Sequence, residues 1–152
     1  MKTLRAALFV LAVTAPALLA IADDKAPEGD LGKFQGSWTG LVGPEKNIPM
    51  IATIKGKVIT LKVNLPTGDE IELKGEVKVD EAGTPHKKLD WTKFTRPDGE
   101  AIPDNLALYN FDDKDNVTIC SGGPGNERPA DFKASEIGEQ YPSMLKLKRK
   151  VD

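Results

Sequence analysis

The chain has 152 residues, enough for one domain, and its 39% apolar and 29% charged residues are a globular balance rather than a disordered one. A formal net charge of -2 offers no basic face for phosphate contacts, so nothing points to a nucleic-acid partner. One Cys excludes an intramolecular disulfide framework and a Cys-cluster zinc site, and one His excludes a His-rich metal centre.

Lys2 and Arg5 precede a nearly unbroken apolar run from Ala6 to Ala20, and Ala20-Ile21-Ala22 fits a small-x-small cleavage site. This is the pattern of a secretory signal peptide over residues 1–22. The apolar core is short for a spanning helix, and Pro16 followed by Ala-x-Ala favours cleavage over anchoring. The mature chain is expected to be exported, periplasmic or extracellular, with no later membrane span. Loss of Lys2 and Arg5 takes the net charge from -2 to -4. Residues 23–33, polar and interrupted by Pro27, Gly29 and Gly32, read as a disordered leader, and 34–152 as a single domain.

From Phe34 onward the apolar residues recur every second position, not every 3.6. Phe34 to Val42 and Met50 to Ile54 read as the first two strands. Lys57 to Leu65 places Ile59, Leu61, Val63 and Leu65 on one face. Pro66-Thr67-Gly68-Asp69 is a turn, and Glu70 to Asp80 then places Ile71, Leu73, Val77 and Val79 on one face. Lys88 to Thr95 alternates Leu89 and Trp91. Leu106 to Phe111 and Asn116 to Cys120 flank a second turn, Asp112 to Asp115. Ser143 to Lys150 sets Leu145 and Leu147 against Lys146, Lys148 and Lys150. The one helical candidate past residue 22 is a single turn near Ala134 to Gly138. About eight short strands with one apolar face each predict an all-β sandwich or barrel, and sequential hairpins favour the small up-and-down antiparallel barrel, which leaves no edges.

Gly36-Ser37-Trp38 resembles the G-x-W start of lipocalin-like barrels. The resemblance implies that Trp38 closes one end of the barrel beside a basic residue late in the chain, here Arg149. A longer series runs in order through the chain: Gln35-Gly36-Ser37-Trp38, Pro85-His86-Lys87-Lys88-Leu89-Asp90, Leu108-Tyr109-Asn110-Phe111, Val117-Thr118-Ile119-Cys120 and Glu127-Arg128-Pro129-Ala130-Asp131-Phe132. It is similar to a small secreted domain family, abundant in planctomycete bacteria, whose molecular function is uncharacterised. The likeness spans Phe34 to about Arg149. The chain departs from the family at Ala107, where a Gly is usual, and at Gly122-Gly123, where more apolar residues are. The family implies a lipocalin-like barrel with no established catalytic residues.

Residues that carry chemistry are few. Cys120 and His86 are the only available thiol and imidazole, and a nucleophilic Cys needs an adjacent, oriented base; a strand-end Cys and a His in a polar loop are the plainer reading. Asp112, Asp113, Asp115 and Asn116 offer oxygen ligands of the calcium type but lack the EF-hand Gly and distal Glu, and read as a charged tight turn. No G-x-S-x-G elbow surrounds any Ser, and Ser121 to Gly125 lacks the Lys-Ser/Thr of a phosphate loop and reads as a flexible connection. Gly122 to Pro142, about 21 residues between two strands, is longer than a hairpin needs and suits a lid or binding loop. It carries Arg128, Phe132 and Tyr141. With Trp91 and Tyr109 on separate strands, Arg128 and Phe132 complete the candidate ligand-binding set. The chain reads as non-catalytic, with no metal and no cofactor. Two functions remain open: a secreted module holding a small, mainly apolar ligand, or an extracytoplasmic interaction or structural domain with a filled barrel.

Overall fold

The period-two segments become eight antiparallel strands in a computed structural model of the chain, which describes residues 25–134 and 140–151. They are β1 (Gly36–Val42), β2 (Ile48–Lys55), β3 (Val58–Asn64), β4 (Glu70–Asp80), β5 (Lys87–Thr95), β6 (Asn105–Phe111), β7 (Asn116–Pro124) and β8 (Ser143–Arg149). Each strand pairs with the next, and β8 returns to β1, so the sheet closes as an up-and-down barrel of lipocalin-like shape. The seam consists of Trp38 opposite Arg149 and Thr39 opposite Lys148, with Lys150 N donating to Ser37 O at 2.8 Å. Closure leaves no free edge. Gly40 lets β8 come this close, because a Cβ there would lie 2.5 Å from Leu147 Cδ2 and 3.0 Å from Lys146 O.

The apolar faces share one interior. Met50, Ile59, Leu61, Val77, Leu89, Val117, Ile119, Leu145 and Leu147 are buried in a single cluster, with Val63, Leu73 and Val79 packed against it. Lys62, Glu72, Lys78 and Lys146 lie exposed between them. The alternation breaks once in β5. Between the pairs Glu76–Thr92 and Lys74–Thr95 the register shifts opposite Gly75, Lys93 takes φ 55, and Phe94 joins the core cluster. This is a β-bulge, in which two residues face one. Gly75 makes room for it, since a Cβ there would sit 2.4 Å from Phe94 Cδ2.

One end of the barrel is plugged by α1 (Gly29–Phe34). The leader expected to be disordered over 23–33 is therefore partly helical and docked. Two glycines and the lack of a side-chain N-cap bond give this six-residue segment little helicity of its own. Tertiary contacts hold it instead. Asp30, 2% exposed, accepts from Lys33 Nζ and Lys87 Nζ, both at 2.6 Å, and from Tyr109 Oη at 2.8 Å, while its own N–H donates to Glu81 Oε2 at 2.8 Å. Gln35 ties α1 to the β2–β3 turn: Nε2 donates to Leu31 O and Gly56 O, and Oε1 accepts from Gly56 N.

Ser121 to Pro124 also differs from expectation. These residues extend β7 rather than forming a flexible connection, with Gly123 at φ 87 where β7 bulges against β6. The signal peptide expected at 1–22, residues 23–24 and all but Ala134 of the helical turn expected near 134–138 lie outside the described residues. Among the described residues no helix is long and apolar enough to cross a membrane.

Candidate functional site

The two ends of the barrel differ. At the α1 end, Phe34 packs against Tyr109 and Phe111 with ring centroids 5.1 and 4.7 Å apart, and Trp38 lies 6.2 Å from both Phe34 and Phe111. Trp38 Nε1 donates to Phe34 O at 2.8 Å, and the Arg149 guanidinium stacks on the indole face. Burial alone would raise the Asp30 carboxyl. Hydrogen bonds from Lys33, Lys87 and Tyr109 outweigh it and hold the carboxyl at about 2. The Tyr109 hydroxyl is pushed up by burial and by its bond to Asp30, so it stays protonated and donates. This end is filled and its polar groups are partnered.

The opposite end is not filled. A cavity of about 230 Å³ opens there, walled by Val42, Met50, Leu61, Val63 and Leu73 from β1 to β4 and by Trp91 and Phe94 from β5. Ile102 and Pro103 of the β5–β6 connection, Pro124 at the end of β7, and Tyr141 close its rim. Among the described lining residues, Asn105 supplies the one side-chain amide and none is charged. A side chamber of about 80 Å³ shares Val42, Trp91, Asn105 and Tyr141 with the main cavity and reaches Ser121 and Ser143. Outward past Leu73 and Ile102 the mouth runs into an open apolar trough bordered by Ile71, Pro97 and Arg96. Arg96 Nη1 meets Glu100 Oε2 at 3.2 Å on the surface.

Of the four residues expected to bind a ligand, only Trp91 lines the mouth. Tyr109 points inward but belongs to the filled end. Arg128 and Phe132 lie on the outer wall of the barrel, not over the opening. Arg128 Nη2 meets Asp90 Oδ1 at 2.7 Å and Nη1 donates to Ala107 O at 2.6 Å. That oxygen of Asp90 is buried and has no other partner among the described residues, so Arg128 neutralises a charge that β5 turns outward under the loop. Phe132 packs edge-on against His86, centroids 5.1 Å apart, and His86 Nε2 lies 3.2 Å from Asp131 Oδ1. Tyr109, His86 and Phe132 border an open outer groove, in which Thr118 Oγ1 donates to Asp112 and Lys87 is engaged with Asp30 behind it.

The same loop shields Cys120. Sγ donates to Asp131 O and Lys133 O, both at 3.6 Å, and burial pushes the thiol up. His86, the one imidazole, is engaged with Asp131 and Phe132. The acidic turn is likewise self-contained: Asp113 accepts from Asn116 Nδ2 and Asp115 N, and Asp115 Oδ1 lies 3.3 Å from Arg149 Nε. Among the described residues no group of three His, Cys, Asp or Glu side chains is gathered for a metal.

Trp91 is the one mouth residue that the sequence singled out as ligand-binding; Phe94, Ile102, Asn105 and Tyr141 are among those it did not. The β5 bulge hides Phe94, since strict alternation would turn Lys93 inward. Tyr141 carried the better signal, an aromatic residue two positions before the last strand. Comparison with family models, with curated proteins and with solved structures finds no match to this chain.

Proposed function

We propose that this protein is an exported, non-catalytic, lipocalin-like domain that holds a small, mainly apolar molecule in the open end of its barrel. The observation that carries the reading is the contrast between the two ends: one sealed by α1 and a buried polar network, the other left as a cavity of about 230 Å³ with no charged side chain among its described lining residues. Apolar walls without charge favour an apolar occupant, because a charged group there would lose hydration without gaining a partner. The volume exceeds that of an apolar cavity of about 150 Å³ that takes benzene. It falls short of the roughly 300 Å³ at which drug-sized sites begin. The occupant is thus about the size of one substituted ring or a short branched chain. Export rests on the charged start, apolar run and Ala-x-Ala site of residues 1–22, and kinship with the planctomycete domain family rests on the motif order from Gln35 to Phe132.

Calorimetric titration with cumene tests the reading. It predicts saturable one-to-one uptake, weakened at least tenfold in Leu73→Trp, whose added ring fills the cavity. Absence of saturable uptake by the wild-type protein, or uptake indifferent to Leu73→Trp, contradicts it.

A further inference from the structure

Asn105 sits at the junction of the main cavity and the side chamber. Its Oδ1 accepts from Ser121 Oγ at 2.8 Å and from Gly123 N at 3.1 Å. A backbone N–H can only donate, so the Gly123 bond fixes which amide atom is oxygen and which is nitrogen. The Ser121 side chain that shares this arrangement is itself buried, 5% exposed, and also accepts from Gly123 N at 3.2 Å. The amide is therefore held in one orientation by β7. Its Nδ2, with two N–H donors, has no hydrogen-bond partner among the described residues; the main cavity on one side of it is walled mostly by hydrocarbon, and the side chamber on the other includes Ser121, Gln140, Tyr141 and Ser143.

We infer that the occupant of the mouth cavity is an uncharged molecule bearing one hydrogen-bond-accepting oxygen, a ketone, ester or ether, and that Asn105 Nδ2 is the donor that selects it. This rests on the proposed ligand-binding role and narrows it. Two features disfavour a plain fatty acid as the occupant: the carboxylate would enter a wall with no cationic residue among the described ones, and Arg96 at the outer trough is paired with Glu100. A pure hydrocarbon offers Nδ2 no acceptor, whereas a ligand oxygen gives it one. The side chamber beside Asn105 supplies room for that oxygen while the hydrocarbon part remains among Leu73, Phe94 and Ile102.

The test compares two probes of nearly equal shape, acetophenone and cumene, on the same protein. In a wholly apolar cavity the ketone binds more weakly, since it gives up its hydration for nothing. With Asn105 as donor, acetophenone binds the wild-type protein at least as tightly as cumene. Asn105→Asp keeps Oδ1 and its bonds from Ser121 and Gly123 but has no N–H, and Asn105→Leu removes the amide altogether. Both lower acetophenone affinity about tenfold relative to cumene, the worth of one hydrogen bond. Tyr141→Phe, which deletes the hydroxyl on the neighbouring wall, tests the rival partner, since it abolishes the ratio only if the tyrosine and not Asn105 holds the oxygen. A second readout needs no substitution: the Asn105 side-chain NH₂ resonances shift on adding acetophenone and not on adding cumene. If the affinity ratio survives both Asn105 variants, or is lost in Tyr141→Phe instead, or the NH₂ signals ignore the ketone, the inference is overturned while the cavity reading stands. If neither probe binds, the cavity reading falls and this one with it.

Discussion

The guanidinium carbon of Arg149 lies 4.2 Å from the centroid of the Trp38 indole, and the two residues face each other across the strand pair that closes the barrel. The contact is more than a cation over a ring. Arg149 Nη1 donates to Gln35 O, Nη2 to Lys33 O and Lys114 O, and Nε to Lys114 O, at 2.7 to 3.3 Å. One side chain thereby ties the end of α1, the start of β1 and the β6–β7 turn to β8. Trp38→Ala should lose about 3–5 kcal/mol of stability, as expected for a fully buried Trp. Arg149→Lys should lose at least about 1.5 kcal/mol, because an ammonium cannot reach three carbonyls and stack flat on an indole together. Urea denaturation checks both. A loss below about 1 kcal/mol for Trp38→Ala would mean that the barrel end is not sealed in this way.

Asp30 makes the plug sensitive to acid. Its carboxyl titrates at about 2 in the folded protein against 3.8 for an ordinary Asp. A lowered folded value means that the stabilisation is present in full above the unfolded value and drains away as the pH falls from about 4 through about 2. It amounts to about 2 kcal/mol at low salt, and to less as salt screens the partly exposed Lys33 and Lys87. Asp30→Asn should be less stable than wild type at pH 7 and should lose less on going from pH 5 to pH 2, followed by near-UV circular dichroism. Equal stability at pH 7, or identical acid limbs, would show that the network does not hold α1.

Gly75→Ala should couple stability to the mouth. The added methyl collides with the Phe94 ring, and the open cavity beside that ring is where it can move. We expect a loss of about 1–3 kcal/mol from overpacking together with at least tenfold weaker cumene uptake. Weaker folding with unchanged uptake would separate Phe94 from the site.

Cys120 should behave as a structural thiol. Burial and the loop above it predict iodoacetamide labelling far slower in the native protein than in urea, and Cys120→Ser should leave cumene uptake unchanged. Rapid native labelling, or loss of uptake with the fold intact, would reopen a reactive role for the sulfur.

Much of the barrel is readable from residue alternation. Once Leu61, Val77 or Ile119 is buried, its neighbours at two-residue spacing must follow, because a one-residue slip would turn the whole set outward. The Gly36-Ser37-Trp38 motif and a late Arg likewise pointed to the seam. What alternation missed has local causes. The helix of residues 29–34 has weak intrinsic propensity and exists through Asp30 and Phe34, whose partners lie far along the chain. Lys93 at φ 55 shifts the parity of β5 and brings Phe94 to the mouth. Arg128 and Phe132 sit in a long loop, where no periodicity says whether the segment covers the opening or the wall. The charge that β5 turns outward at Asp90 decides it, and only the paired structure shows that Asp90 lies beneath Arg128.

The central claim, that the open end of this barrel carries a small, mainly apolar molecule, meets its most direct test in mass spectrometry of organic extracts from natively purified protein. The account predicts one uncharged, oxygen-bearing species of about one-ring size at near-stoichiometric amount, reduced in Leu73→Trp purified alongside. An extract with no such species, from protein that also shows no saturable uptake of acetophenone or cumene, would contradict it.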